Sequence, residues 1–191
     1  SLGRWRDGEA ALDRALEISP EDHSVISLKI DLFQWEGRLD EAAKELSRLP
    51  DDPSNKDVVI ARVQHALLEH DFNEAISRAK QITDSLVPEK PLTPQDILIL
   101  ILQGYAQRWS GQAVDAHAAF ARVIGELEPA SRRSKFPNIG GRSFLALAYA
   151  GIGDKENALE QARVGVAGEA NEGIIKPNGE ASRATVLAQL G

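Results

Sequence analysis

Four histidines, two short glycine runs and one basic cluster are the residues in this chain whose types could carry chemistry. His65 and His70 lie five apart, so they do not share a helical face as zinc ligands at i and i+4 would. Solvated or capping roles fit them, His23 and His117 better than metal ligation. Gly151-Ile152-Gly153, followed by Asp154 and Lys155, has the outline of a phosphate loop. Such a loop needs a preceding strand and more glycines. Gly140-Gly141 reads more simply as a loop passing into a helix. No serine lies in a GxSxG elbow. The absence of cysteine removes thiolate nucleophiles, disulfides and cysteine-based zinc sites. Asp40, Glu41, Asp51, Asp52 and Glu156 fall near expected helix starts, where carboxylates complement the helix dipole. Arg132-Arg133-Ser134-Lys135 is the one local basic patch and reads as a solvated loop; docking to an acidic or phosphorylated partner is the alternative. The expectation is therefore a non-enzyme with no catalytic residues, no cofactor and no metal.

Composition points to what would position any site. Apolar residues make up 42% and charged residues 27%, the balance of a folded soluble chain. Aromatics are only 5%, while Ala, Leu, Glu and Arg are plentiful, so the reading is all-α. A net charge of −7 argues against nucleic-acid binding by this segment, because phosphate contacts need concentrated Lys and Arg. The longest apolar stretch, Ile97 to Leu102, is far below the roughly 20 residues of a membrane helix. Gly3 runs straight into Arg4, Trp5, Arg6 and Asp7 with no signal peptide. A cytoplasmic segment without membrane contact is expected. The lack of methionine suggests a piece of a longer protein.

Internal periodicity decides the architecture. Five segments superimpose: GRWRDGEAALDRALEISP from Gly3, GRLDEAAKELSRLP from Gly37, HDFNEAISRAKQI from His70, GQAVDAHAAFARVI from Gly111 and GDKENALEQARVGV from Gly153. With Gly191 as a sixth start, the spacings are 34, 33, 41, 42 and 38 residues. Each segment reads as a turn and the second helix of a hairpin, with glycine supplying a left-handed turn conformation. Five residues on stand Ala42, Ala75, Ala116 and Ala158, with Gly8 in the first segment. Four further come Leu12, Leu46, Ala79, Phe120 and Ala162, and three further Ala15, Leu49, Ile82, Val123 and Gly165. The preceding helices are expected near His23–Glu36, Lys56–His70, Pro94–Trp109, Pro137–Ile152 and Gly179–Leu190. The Ile97–Leu102 run belongs to a helix and not a strand, because Thr93-Pro94 is a helix start and the pattern continues to Trp109.

This pattern resembles the tetratricopeptide repeat (TPR) family over nearly the whole chain. Its C-terminal stretch is similar to the closing repeats of long bacterial regulators. The resemblance implies an α-α superhelix of about ten antiparallel helices. A half-repeat over 1–22 would precede repeats over about 23–55, 56–93, 94–136 and 137–176, and an unpaired helix over 177–191 would follow. Open half-repeats at both ends again read as boundaries drawn across a longer protein. Pro20 and Pro129 stand at or beside the family's helix-ending proline position. Loops are expected at Val87–Thr93, Glu128–Asn138 and Gly168–Asn178, with Ile174 and Ile175 folded back on the array.

The family's small residue sits where paired helices touch, and its concave face comes mainly from the first helix of each pair. On that register the inner positions include Ser24, Ser27, Leu28, Asp31, Gln34 and Trp35, and, one unit on, Asp57, Ile60, Ala61, Gln64, Leu67 and Leu68. Where chaperone-binding members carry a basic carboxylate clamp, this chain has Ser27, Asp31, Ile60 and Ala61, so that clamp is missing. The partner-binding candidates are Trp35, Leu98, Leu102, Tyr105, Arg108, Trp109 and Phe144, an apolar face suited to an extended peptide or amphipathic helix. The same side chains could instead pack neighbouring repeats. The expected function is a scaffold that docks a protein or peptide partner within a bacterial regulator. The alternative is a structural or self-association spacer in a multidomain enzyme.

Overall fold

The structure, a computed structural model, describes residues 2–133 and 139–172. Every regular element among them is an α-helix: α1 (Leu2–Ile18), α2 (His23–Trp35), α3 (Leu39–Leu46), α4 (Lys56–Leu68), α5 (Phe72–Thr83), α6 (Pro94–Trp109), α7 (Ala113–Arg133), α8 (Ile139–Ile152) and α9 (Lys155–Glu172). They fall into two compact units, Ser1–Asp84 holding α1 to α5 and Ser85–Gly191 holding α6 to α9. Within the first unit consecutive helices pack in pairs, and α2 also lies against α4. The second unit follows the same scheme, with α8 resting on both α6 and α7.

Four turns join the hairpins with one geometry. Gly37, His70, Gly111 and Gly153 adopt φ of 72°, 61°, 85° and 83°. The next N–H reaches back across each turn: Arg38 to the Phe33 carbonyl, Asp71 to Ala66, Gln112 to Gln107 and Asp154 to Tyr149, at 2.7–2.9 Å. The left-handed residue itself donates to the carbonyl three back, at 3.1–3.2 Å. These paired bonds satisfy carbonyls that a helix end would otherwise leave open. The reversal takes only a few residues because the new helix begins at once. Ala42, Ala75, Ala116 and Ala158 donate its first i→i−4 bond, each at 3.0 Å. All four alanines are buried, and a side chain no larger than a methyl group is what lets the two helices close.

Local sequence also fixes the helix starts. Asp22 accepts from the Ser24 and Val25 N–H groups, Asn55 from Asp57 and Val58, and Asp71 from Glu74. At α6, Thr93 accepts from the Asp96 N–H while Asp96 accepts from the Thr93 N–H, a reciprocal capping box preceding Ile97–Leu102. Each such cap stabilises its helix by about 1 kcal/mol.

Each unit has its own core. In the first, Leu16, Ile26, Ile30, Leu46, Leu49 and Val58 cluster between α1 and α4, and Lys29 pairs with Asp13 and Glu45 beside them. In the second, Phe120 from α7 is fully buried between two glycines. A Cβ on Gly104 of α6 would lie 2.7 Å from its ring, and one on Gly151 of α8 only 2.5 Å. The aromatic ring fills the room that two absent side chains leave.

Three expectations need correction. Gly3 lies inside α1 and forms no turn. Pro129 does not end its helix: α7 continues to Arg133, so the loop expected from Glu128 begins later. Proline lacks an N–H and crowds the carbonyl four residues back. Here that residue is Gly125, with open space around it, and just before the proline Leu127 packs on the α8–α9 core while Glu128 accepts from the Tyr149 hydroxyl at 2.9 Å. Likewise α9 runs to Glu172, through the start of the loop expected at Gly168. Ser134, Lys135, Ile174, Ile175 and the expected helix over 177–191 lie outside the described residues, as do the side chains of Arg132 and Arg133.

Candidate partner-binding face

In the second unit, α6 and α8 bring six of the seven sequence candidates into one element pair. Leu98 and Leu102 are half-buried along α6, and half-buried Phe144 of α8 packs on the α6–α7–α8 core. Tyr105 is buried, with its ring edge-on to Phe120 at 5.0 Å and tilted against Trp109 at 5.4 Å. Its hydroxyl donates to the Leu147 carbonyl of α8 at 2.9 Å. Burial pushes the phenol up to about 12, since a phenolate would lose its water there. Arg108 donates through Nη1 to the carbonyls of Ala150, at 3.1 Å, and Gly151. Those carbonyls belong to the last turn of α8, where a cation complements the helix dipole. Tyr105 and Arg108 are thus polar ties between α6 and α8. Trp109 remains 45% exposed.

The remaining candidate, Trp35, belongs to the first unit and is 74% exposed on α2. Its ring meets Trp5 of α1 edge-on at 6.1 Å. On the same helix Leu28 is 57% exposed, and Leu68 of α4 is 45% exposed. Asp31 lies three residues after Leu28 and four before Trp35, on one helical face. It is half-buried, and that burial holds its carboxyl above the usual aspartate range. Gln34 is turned inward, its Nε2 donating to the Ala61 carbonyl of α4 at 3.3 Å.

Trp35, Leu68 and Trp109 share one register position, two residues before the left-handed turn residue. The fourth holder of that position is Gly151, which Phe120 occupies from the other side. Leu28, Asp31 and Leu68 were legible as inner positions but were not singled out from the sequence. For Leu68 the available signal was its place two before the turn, as for Trp35; for Leu28 and Asp31 it was the helical spacing that puts them on the Trp35 face.

Among the described residues, no other cluster offers better chemistry. A cleft of about 260 Å³ between α3, α4 and α5 is lined by Arg62, His65, Glu69, Glu74 and Arg78. Its charges are spent on each other: Arg78 pairs with Asp51 and Glu74 at 2.7 Å, and Arg62 donates to the Leu46 and Leu49 carbonyls. His65 is buried against Glu69 at 3.4 Å and is not the solvated residue expected, because α4 turns that face towards α3 and α5. His70 occupies the turn, its ring beside Phe72. The Gly151–Gly153 run is a helix end and hairpin turn, with Asp154 capping α9 through the Asn157 N–H at 3.1 Å. No described helix is long and apolar enough to cross a membrane.

Neither a scan against protein-family models nor a search of curated proteins returns a match to this chain.

Proposed function

We propose that this chain is a TPR-like assembly of stacked helical hairpins serving as a non-catalytic scaffold. Its first-helix faces, on α2 and α4 and on α6 and α8, dock a peptide or partner domain, and the chain is the docking or sensor region of a larger bacterial regulator. One observation carries the reading: Trp35, Leu68 and Trp109 leave a large apolar side chain exposed at the same position of three successive hairpins. Isolated exposed apolar residues are ordinary, but a register-locked series of them, two being tryptophan, has the composition of interface anchors.

The test is selection of displayed peptides on the intact chain, followed by titration of the selected sequences against wild type, Trp35→Ala and Trp109→Ala. A weakening of about tenfold or more with at least one variant is expected, since hot-spot truncations cost about 2 kcal/mol. Equal affinity for all three proteins would sink the reading. A structural spacer is the second reading, favoured by Tyr105 and Arg108 spending their polar groups on α8. It expects both tryptophan variants to lose self-association, measured by sedimentation, with no peptide bound.

A further inference from the structure

Among the described part-buried carboxylates of the first unit, Asp31 alone lacks a cation, Glu9, Glu36, Glu41 and Glu45 each being paired. Asp13 and Glu45 share Lys29, Glu9, Glu36 and Glu41 surround Arg38, and Asp51 and Glu74 hold Arg78. Asp31 is half-buried, and among the described residues no cation or hydrogen-bond donor is paired with it. Removing a carboxylate from water without a partner is unfavourable. Its neighbours on the face are the exposed Leu28 and Trp35 of α2, and Leu68 stands on the adjoining α4.

The formal charge at the inner positions has one sign. The twelve inner positions on α2 and α4 hold two carboxylates, Asp31 and Asp57, and no Lys or Arg. Residues 1–84 carry 11 Lys and Arg against 18 Asp and Glu, whereas residues 85–191 carry 11 of each, so the whole −7 resides in the first unit. Such a field draws in cations and repels nucleic acid or an acidic peptide. One carboxylate cannot hold a metal ion, which needs several ligands. An organic cation with an apolar neighbour matches what is exposed: the charge meets Asp31 and the Trp35 face, and the apolar group covers leucine.

We propose that the α2–α4 face takes a peptide segment presenting a lysine or arginine to Asp31 and the Trp35 ring and an apolar side chain to Leu28 and Leu68. This deepens the docking function above and rests on it. A bound ammonium or guanidinium would offset, by charge pairing, the desolvation cost that Asp31 bears in the free protein. Trp5, edge-on to Trp35, limits the orientations of the ring that receives the segment.

Three synthetic amphipathic peptides of equal length test it, titrated into the intact chain by tryptophan fluorescence and calorimetry: Lys/Leu, its charge-reversed Glu/Leu counterpart, and Lys/Ser. The Lys/Leu peptide should bind, and the other two should bind at least tenfold more weakly. Asp31→Asn should weaken the Lys/Leu peptide about tenfold, a difference of about 1.4 kcal/mol. Asp57→Asn, which removes an exposed carboxylate of the same face, should change it less than twofold. The Asp31→Asn protein should melt no lower than wild type, so lost binding is not lost folding. Equal weakening by the two variants, equal binding of the Glu/Leu peptide, or no binding of the Lys/Leu peptide at millimolar concentration overturns the proposal. Binding abolished by Trp109→Ala but untouched by Asp31→Asn and Trp35→Ala also overturns it, while leaving the scaffold reading intact.

Discussion

In the second unit, Tyr105 and Arg108 both donate to carbonyls of α8, and Phe120 fills the gap between Gly104 and Gly151. In the first unit, Gln34 makes the bond that corresponds to that of Arg108, three residues before the turn, while Trp35 beside it stays 74% exposed. The hairpin turns are alike in both. What differs is where particular inner-face side chains go: Tyr105 and Arg108 into bonds between helices in one unit, Leu28 and Trp35 outwards in the other. Charge divides the same way, since the second unit is formally neutral and the first carries −7. One backbone scheme can therefore present a consolidated helix pair or an acidic, aromatic face, and a few register positions decide which.

The contrast is broken most severely at Phe120. Phe120→Ala should destabilise the protein by about 3–5 kcal/mol, because it empties a fully buried aromatic site. Gly151→Ala should cost about 2–3 kcal/mol, since its methyl would sit 2.5 Å from a ring with nowhere to go. The two changes relieve one another, so the double variant should be more stable than the sum predicts by about 1 kcal/mol or more. Urea unfolding of the four proteins measures this. Strict additivity would mean that the ring does not depend on the glycine gap.

Next in size is a pH effect confined to the second unit, where Tyr105 lies. Its phenol is raised to about 12 in the folded protein from an unfolded value near 10. The unfolded chain therefore holds fewer protons between those values. The contribution of Tyr105 is complete below about pH 10 and is lost as pH rises towards 12, by about 2–3 kcal/mol. Tyr105→Phe cannot titrate. It should be about 1 kcal/mol less stable than wild type at pH 8, for want of the bond to Leu147, and should overtake it near pH 11, where wild type has lost about that much. Denaturant midpoints of the two proteins across that range check the crossing.

The turns then sharpen the comparison, because among the four described turns the one without glycine lies in the first unit. Gly111→Ala and Gly153→Ala should each cost about 1–2 kcal/mol, as the left-handed region penalises a Cβ. His70→Gly should act with the opposite sign and stabilise by about 0.5–1 kcal/mol, less whatever the ring gains against Phe72. Thermal melts of the three variants suffice. A destabilised His70→Gly protein would show that the ring contact outweighs the backbone strain.

These turns were the most legible part of the chain, and the reason is local. A left-handed residue followed five positions later by an alanine is written in adjacent residues, so Gly37, Gly111, Gly153 and even His70 could be read directly. The same holds for α6, whose Thr93-Pro94 start and Trp109 end match the expectation. Local signals misled where packing overrode them. Pro129 reads as a stop, yet α7 continues because Glu128 is held by Tyr149, 21 residues away. The candidate face was half legible. Helical register placed Leu98, Leu102, Trp109 and Trp35 on first-helix faces, but nothing local says that Tyr105 and Arg108 would be drawn onto α8. That choice depends on residues 42 or 43 positions further along the chain.

The smallest expected effect tests the comparison most finely. Burial raises the Asp31 carboxyl above the ordinary aspartate range. A group whose folded value is raised contributes its stability below the unfolded value, and loses it as pH rises through the folded one. At neutral pH the ionised Asp31 is therefore a net cost to the fold. Asparagine keeps the shape without the charge, so Asp31→Asn should exceed wild type at pH 7 by only about 0.5 kcal/mol, the carboxylate being partly screened by solvent. The advantage should vanish near pH 3, where both side chains are neutral. Stability curves at the two pH values measure it. A side chain kept charged at a cost in the free protein is what a face awaiting a cation requires. An equal loss of stability at both pH values would instead make Asp31 an ordinary packing residue and erase the difference between the two units at this position.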